Sequence, residues 1–451
     1  MNHWQQRDLQ HIWHPCSQMK DYEAFPPIVI EYGKGPYLYD IDGNSYLDAV
    51  SSWWVNLFGH SNPRINGAIR KQIDSLEHVI FANFSHKPAI ELAERIVQIT
   101  PEGLNKVFFA DNGSSAVEVA LKLSFHYHQQ TGNFRKTRFA AITDAYHGET
   151  LGALSVGDLD LYSEIYKPLL LDTLKATAPD CYRCPYNRSR ENCSAECFQE
   201  MENMLRDRHE EICGIIIEPL VQCAAGMKIY PPVYLAKLRE LCTKLSIHLI
   251  ADEIAVGFGR TGRMFACEHA GISPDIMCLS KGLTAGYMPL SLVLMSDEMY
   301  QAFYDDYAKL RAFMHSHSYT GNPIACAIAC ESLNIFRDED VLNRNKIKSA
   351  LIEERVMARA KNHPRIGEFR RIGMIGALEL VEDKDSKKGF DWQKRVGYKI
   401  YQIALSKGVL LRPLGNVIYF MPPYIVEEKD IDLMVETAFQ SIDAYFKDMH
   451  E

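Results

Sequence analysis

Between about residues 100 and 300, short unbroken apolar runs alternate with longer stretches in which apolar residues recur every three or four positions. The runs at 106–110, 138–143, 214–218, 248–252, 275–279 and 290–295 are short and continuous, as strands buried on both faces are. The stretches 116–128 and 232–245 carry the period of amphipathic helices. Such alternation predicts an α/β fold: a mostly parallel sheet flanked by helices, with ligands at the carboxyl ends of its strands. The flanks read differently. Residues 28–50 predict short antiparallel strands, with Asp42-Gly43 at a hairpin turn. From about Ile335, charged helices alternate with strand-like pieces at 374–380 and 417–421. The expected organisation is a large domain over 61–334 and a smaller α+β domain made from both chain ends, 1–60 and 335–451.

Composition narrows the class without naming a chemistry. The 451 residues are 47% hydrophobic and 24% charged, and a net charge of −9 is spread along the chain without an acidic or basic tail. That predicts neither a nucleic-acid nor a membrane partner. The start MNHWQQRDLQHIWHP lacks the pattern of a secretory signal, and the apolar runs fall far short of the ~20 residues that cross a bilayer. Twelve cysteines without an export signal are expected to be reduced thiols, which points to the cytoplasm.

Two polar residues at strand ends carry the chemistry. Asp252 closes the run Ile247-His248-Leu249-Ile250-Ala251, where a carboxylate is costly to bury without a compensating cation. A helix cap or a metal ligand is one reading of it. The glycine-rich turn Gly257-Phe258-Gly259-Arg260-Thr261-Gly262 follows, and the next apolar run leads into Ser280-Lys281-Gly282 at the mouth of the sheet. Taken singly, Lys281 reads as a solvated loop lysine. Together the pair suggests a lysine amine that forms a Schiff base with an aldehyde cofactor, and a carboxylate that keeps the cofactor's pyridine nitrogen protonated. Ala110-Asp111-Asn112-Gly113-Ser114-Ser115 joins a strand to a helix, so Gly113 and Ser114 offer backbone N–H groups and a hydroxyl to a phosphate. Ser115-Ala116-Val117-Glu118 also fits a capping box, and both readings can hold. Tyr146, in Tyr146-His147-Gly148 just past a strand, offers a ring to stack on the cofactor, or is an ordinary loop tyrosine.

The order Gly113-Ser114, Tyr146-His147-Gly148, Glu218-Pro219, Asp252-Glu253-Ile254, Gly257 to Gly262 and then Lys281 resembles the class III aminotransferases along essentially the whole chain. The resemblance implies a fold-type I pyridoxal-phosphate enzyme that is a homodimer with active sites at the subunit interface. It implies phosphate contacts from Gly113 and Ser114, ring stacking by Tyr146, a pyridinium contact from Asp252 and the covalent link at Lys281. The segment His315 to Pro323 fits a further phosphate contact to the neighbouring subunit, with His317 flanking and the Ser318 hydroxyl as ligand. Finer motifs are His11-Ile12-Trp13-His14-Pro15, Ser51-Ser52-Trp53-Trp54, Ala255, Leu411-Arg412-Pro413 and Tyr419 to Tyr424. They are similar to the branch that aminates 8-amino-7-oxononanoate to 7,8-diaminononanoate in biotin synthesis, with S-adenosylmethionine as donor. The substrate would meet Tyr146, Lys281 and Ser316, with Trp53 as an apolar wall and Arg412 as a fork for its carboxylate. Core tryptophans and an arginine paired with a protein carboxylate are the plain alternatives. The exchange would run in two halves with ping-pong kinetics. Cys16 stands where the best-known form of this branch has an aromatic hydroxyl, and Ser316-His317 stand where it has Gly-Pro. These departures keep L-lysine open as donor. A broad ω-amino acid or diamine transaminase is the rival reaction, and a non-catalytic scaffold the rival class.

Cys181-Tyr182-Arg183-Cys184, then Cys193 and Cys197, have the spacing of a structural metal knuckle. Unligated thiols are the favoured expectation, structural zinc the next and an iron–sulfur cluster the least.

Overall fold

The apolar runs form one sheet. In the computed structural model, which describes residues 1–448, seven strands lie in the spatial order Lys106–Ala110, Ser291–Met295, Ile276–Leu279, His248–Asp252, Ile212–Ile217, Arg138–Ile142 and Leu174–Ala176. All run in one direction except Ser291–Met295, which is antiparallel to both neighbours. Every residue of Ile212–Ile217 and Ser291–Met295 is buried, as continuous apolar strands covered on both faces require. Leu174–Ala176 is too short and polar to have been legible as a strand. The helices Gly113–Gln130 and Pro232–Leu245 pack on the sheet. The second begins with proline in its first turn and stops at Ser246, whose φ of 53° lies in the left-handed region.

Register brings the strand ends level. Ala251 pairs with Ile217 and Asp252 with Cys278, so Glu218, Asp252 and the Ser280-Lys281 step all emerge at one edge of the sheet.

The chain ends build the other sheets. Ile30–Lys34, Tyr37–Asp40 and Ser45–Asp48 form an antiparallel meander. The Asp40 carboxylate gathers the N–H groups of Asp42 and Asn44 at 3.0 and 2.8 Å around Gly43, whose φ is 85°. Val409–Leu410 adds a parallel strand to Ser45–Asp48, a pairing too short to read from sequence. Ile366–Ile372, Ile375–Leu380 and Val417–Phe420 form a third, antiparallel sheet, against which the helix Val341–Ala360 packs. Its hairpin at Gly373 docks on the glycine-rich turn: a Cβ there would lie 2.3 Å from the Thr261 carbonyl carbon, and Met374 N–H donates to Arg260 O at 2.9 Å. Residues 449–451 of the expected C-terminal part lie outside the described residues. Among the described residues no helix is long and apolar enough to cross a membrane.

One segment departs from ordinary backbone. Ser51, Ser52, Trp53 and Trp54 have φ of 52°, 45°, 71° and 73°, a left-handed turn made entirely of non-glycine residues. Such a conformation costs roughly 1–2 kcal/mol per residue. Local bonds offset this: the Asp48 carboxylate accepts from Ser52 N–H at 2.8 Å and Ser52 Oγ at 2.6 Å, and Ser51 Oγ donates to Met421 O at 2.7 Å.

Candidate active site

At the carboxyl edge of the sheet a cavity of about 470 Å³ is lined by Gly113, Ser114, Tyr146, His147, Glu218, Asp252 and Lys281, among others. Each arrives by a short step beyond a strand. Asp252 is buried; its Oδ1 accepts from Ile254 N–H at 3.1 Å, and its Oδ2 lies 2.7 Å from Nδ1 of the buried His147. His147 Nε2 has no protein partner, an unpaired polar atom beside the cavity. Lys281 has a positive φ of 44°, and its Nζ stands 4.9 Å from the centroid of the Trp54 ring. Burial pulls the Lys281 ammonium below the usual lysine range, against the counter-pull of Asp252, Cys223 and Glu218.

Glu218, part of the Glu218-Pro219 motif but given no role there, proves to be a wall of the cavity. Its carboxylate accepts from Tyr146 N–H at 3.1 Å and Cys223 N–H at 3.0 Å. Burial first, and Asp252 in addition, push its pKa up to about 7, while His147 and those N–H groups oppose the rise. The strand-end position was the signal that could have found it.

The helix Gly113–Gln130 points its N-terminus into the cavity. Its cap is Asn112, whose side chain accepts from Ser115 N–H at 3.0 Å, so the capping box expected at Ser115 does not form. Glu118 instead accepts from Gly152 N–H at 2.8 Å, because Gly152 packs against its carboxylate. Gly148 has φ of 122°, and a Cβ there would fall 2.1 Å from Ser114 Oγ, so only glycine lets the two loops meet. Burial raises the Tyr146 hydroxyl's pKa, and its O–H donates to Glu149 at 2.9 Å.

These features fit pyridoxal 5'-phosphate: a helix N-terminus for an anion, a buried carboxylate backed by histidine, and an amine held between them.

Trp53 and Arg412, expected to meet the substrate, do not line this cavity themselves and form a rim linked to it through Cys16 and Glu149. Trp53 is 40% exposed, and the Arg412 guanidinium lies 4.6 Å from its ring centroid. Trp54, 3% exposed, is a core residue whose Nε1 donates to Tyr419 Oη at 3.0 Å. The two tryptophans thus divide between the alternatives. Arg412 donates to Cys16 O at 3.3 Å and, among the described residues, has no carboxylate partner. Cys16 Sγ is 3.7 Å from Glu149 Oε1, which links this rim to Tyr146. Arg412 also lines a neighbouring cavity of about 670 Å³ with Tyr162, Tyr398 and Tyr401. Tyr162, which the motifs do not single out, tilts its ring against that of Tyr146 with centroids 5.4 Å apart and brings an aromatic hydroxyl to the neighbourhood of Cys16.

Ser316, His317 and Ser318 do not line the cavity of their own chain. Ser316 and Ser318 are exposed, and His317 stacks edge-on against His315 at 4.9 Å.

Cys181, Cys184, Cys193 and Cys197 are free thiols, and among the described residues no three metal-ligating side chains converge. Other bonds shape the loop: Arg183 donates to Lys387 O at 2.9 Å, Lys387 to Tyr182 O at 2.6 Å, and Arg190 pairs with Glu368 at 3.0 Å. Burial pushes Cys181 up to about 12 and Cys197 to about 11.

Residues 18–442 match the family described as aminotransferase class-III. The chain is 45% identical over 436 residues to the adenosylmethionine-8-amino-7-oxononanoate aminotransferase of Geobacter sulfurreducens, with 96% of each covered. It is also similar to the crystal structure of the protein of that name from Methanocaldococcus jannaschii, with a TM-score of 0.93, 37% identity and 98% of each chain covered. The omega transaminase from Pseudomonas jessenii in complex with PMP gives a TM-score of 0.94 at 31% identity, with 99% of each chain covered. With the strand-end lysine and aspartate in one cavity, the chain belongs to the class III aminotransferases, a pyridoxal-phosphate-dependent family of fold type I.

Proposed function

We propose that the protein aminates 8-amino-7-oxononanoate to 7,8-diaminononanoate, the transamination of biotin synthesis, with S-adenosylmethionine as donor, as a cytoplasmic homodimer. The observation that carries this reading is the rim: Arg412, free of any carboxylate among the described residues, lies on the exposed face of Trp53 beside the mouth of the Lys281 cavity. A guanidinium fork at the end of an apolar wall suits a long chain ending in a carboxylate. The relatives that carry this reaction in their names are similar over nearly the whole chain.

Residue roles follow from position. When bound, pyridoxal 5'-phosphate supplies an aldehyde that captures the amino group and a ring that takes up electrons from the substrate carbon. Gly113 and Ser114 would hold its phosphate with backbone N–H groups and a hydroxyl, and Tyr146 would stack on the ring. Asp252, oriented by His147, would keep a proton on the ring nitrogen. Lys281, its pKa lowered by burial, is neutral in a larger fraction at working pH than an exposed lysine, so it can attach the cofactor and then carry the proton at the substrate carbon. Ser318, with His317 beside it, would reach the partner's phosphate, and Ser316 the partner's substrate. Arg412 can serve both half-reactions, since donor and acceptor never occupy the site together.

L-Lysine as donor is a second reading, favoured by the exposed Glu149 carboxylate, which could pair with a second ammonium at the rim. A sulfonium would instead gain from the faces of Trp53 and Tyr146. Each donor alone, mixed with holoenzyme, should change the cofactor's visible absorbance if it is used. Conversion with S-adenosylmethionine is the expected result; rapid conversion with lysine and none with the sulfonium compound would overturn it.

A further inference from the structure

Arg260 is the bulkiest fully buried side chain of the protein, 1% exposed. Among the described residues it has no carboxylate partner. Its Nη1 donates to Pro422 O at 2.9 Å, and its Nη2 to Trp54 O at 3.2 Å and Asn56 O at 3.0 Å. The guanidinium carbon lies 5.0 Å from the Tyr424 ring, whose hydroxyl donates to Phe258 O at 2.6 Å. A buried cation bonded only to carbonyls, with its Nε unpartnered, is costly where an apolar side chain of similar volume would pack, so its bonds have to accomplish something that packing does not.

The carbonyls it holds mark a purpose. Trp54 is the last residue of the left-handed turn, and Asn56 lies where the chain leaves it. The same turn is tied to the C-terminal segment by Ser51 Oγ to Met421 O at 2.7 Å and Met421 N–H to Ala49 O at 2.9 Å. Its unusual handedness sends adjacent side chains to opposite tasks. Trp53 faces Arg412 at 4.6 Å, and Trp54 lies beneath Lys281 at 4.9 Å. A relaxed right-handed turn would redirect both rings.

We infer that Arg260 is a positioning residue: its fork pins the left-handed turn Ser51–Trp54 to the Pro422 segment and thereby sets Trp53 at the substrate rim and Trp54 under the lysine. The pin itself is independent of the substrate; its effect on substrate affinity rests on the function proposed above.

The test uses holoenzyme carrying Arg260→Gln or Arg260→Lys. Backbone hydrogen exchange should quicken at least about tenfold at the Trp54, Val55 and Asn56 amides, which donate to Val50 O, Ser51 O and Ser51 O, and stay unchanged in Ile212–Ile217 and His248–Asp252. KM for the oxononanoate should rise at least about tenfold while kcat falls less than about threefold. Adding Ser52→Gly should recover at least about threefold of the lost affinity, because glycine holds φ of 45° without the Cβ clash. A general loss of packing would quicken exchange throughout and would not respond to glycine at one turn position. Unchanged exchange at the three amides overturns the pin. A loosened turn with unchanged KM overturns its role in presenting the tryptophans. Where Arg260→Gln does not accumulate as folded protein, Arg260→Lys decides, since it keeps the cation and stem but not the fork. Failure of wild-type enzyme to use the oxononanoate would refute the proposed substrate alone, and the exchange result would still judge the pin.

Discussion

The floor of the cavity and its rim are held by different kinds of structure. Glu218, Asp252 and Lys281 lie at or just beyond the ends of strands whose ladder pairs Ala251 with Ile217 and Asp252 with Cys278. Their spacing is a matter of register, and buried strands on both sides resist any slip. Cys16, Trp53, Glu149 and Arg412 come instead from four separate loops, joined by a carbonyl bond, a thiol contact and a stacked guanidinium. Loops of this kind can be retuned one at a time without moving the floor. With the roles proposed above, the difference places the general chemistry and the choice of substrate on separable parts of the molecule.

That comparison can be broken most forcefully at the floor. Lys281→Ala should lower turnover by about 10⁴-fold or more and abolish covalent attachment of the cofactor, since no other amine lines the cavity. Near wild-type transamination in this variant would refute the role of Lys281. Asp252→Ala should cost about 10²–10³-fold in kcat and weaken cofactor retention on dialysis, because a neutral ring is a poor electron sink. Undiminished activity would sink the pyridine contact.

At the rim the expected effect is smaller and falls elsewhere. Arg412→Ala should raise KM for the oxononanoate about 10–100-fold, roughly 1.5–3 kcal/mol, with little change in cofactor affinity. Steady-state kinetics beside a cofactor titration would check both, and a variant that lost cofactor instead would erase the division between floor and rim.

The smallest effect concerns what the sheet buries behind the site. His128 is buried with Nε2 2.9 Å from Cys213 O, and burial pulls its pKa down to about 4. The unfolded chain takes up a proton near 6.5 while the folded state does not, so stability falls as pH drops through that window. Between pH 7 and 5 the loss should be about 2 kcal/mol. His128→Gln keeps a donor for the carbonyl and cannot titrate, so urea unfolding should show it losing about 2 kcal/mol less than wild type over that range. Equal losses would mean that His128 does not stay neutral in the folded protein.

Local pattern was enough for the sheet and the floor. Runs such as 106–110 and 248–252 appear as strands with those same bounds, because a strand buried on both faces must be apolar throughout. Asp252 and Lys281 were legible only as a pair, a carboxylate at the end of one buried run and an amine just past the next, since each alone has an ordinary structural reading. Glu218 was equally placed, yet its part in the cavity depends on Tyr146 and Cys223 donating to it, contacts between residues 72 and 5 positions apart. The cysteine spacing left unligated thiols and a metal knuckle both open, and the bonds of Arg183, Lys387 and Arg190 that shape this loop join partners too distant in the chain to read from it.

The sequence by itself therefore determined the fold class and the family and brought the strand-end residues forward, since the period of the apolar runs and the order of the motifs are both written along the chain. Only the tertiary structure decided that Trp53 faces out and Trp54 in, that Asn112 rather than Ser115 caps the phosphate-side helix, and that Arg412 meets Cys16 across 396 positions of chain. The left-handed turn shows why: residues that avoid such a backbone when isolated adopt it here because Asp48 beside it, and Met421 and Arg260 from distant parts of the chain, hold it with hydrogen bonds.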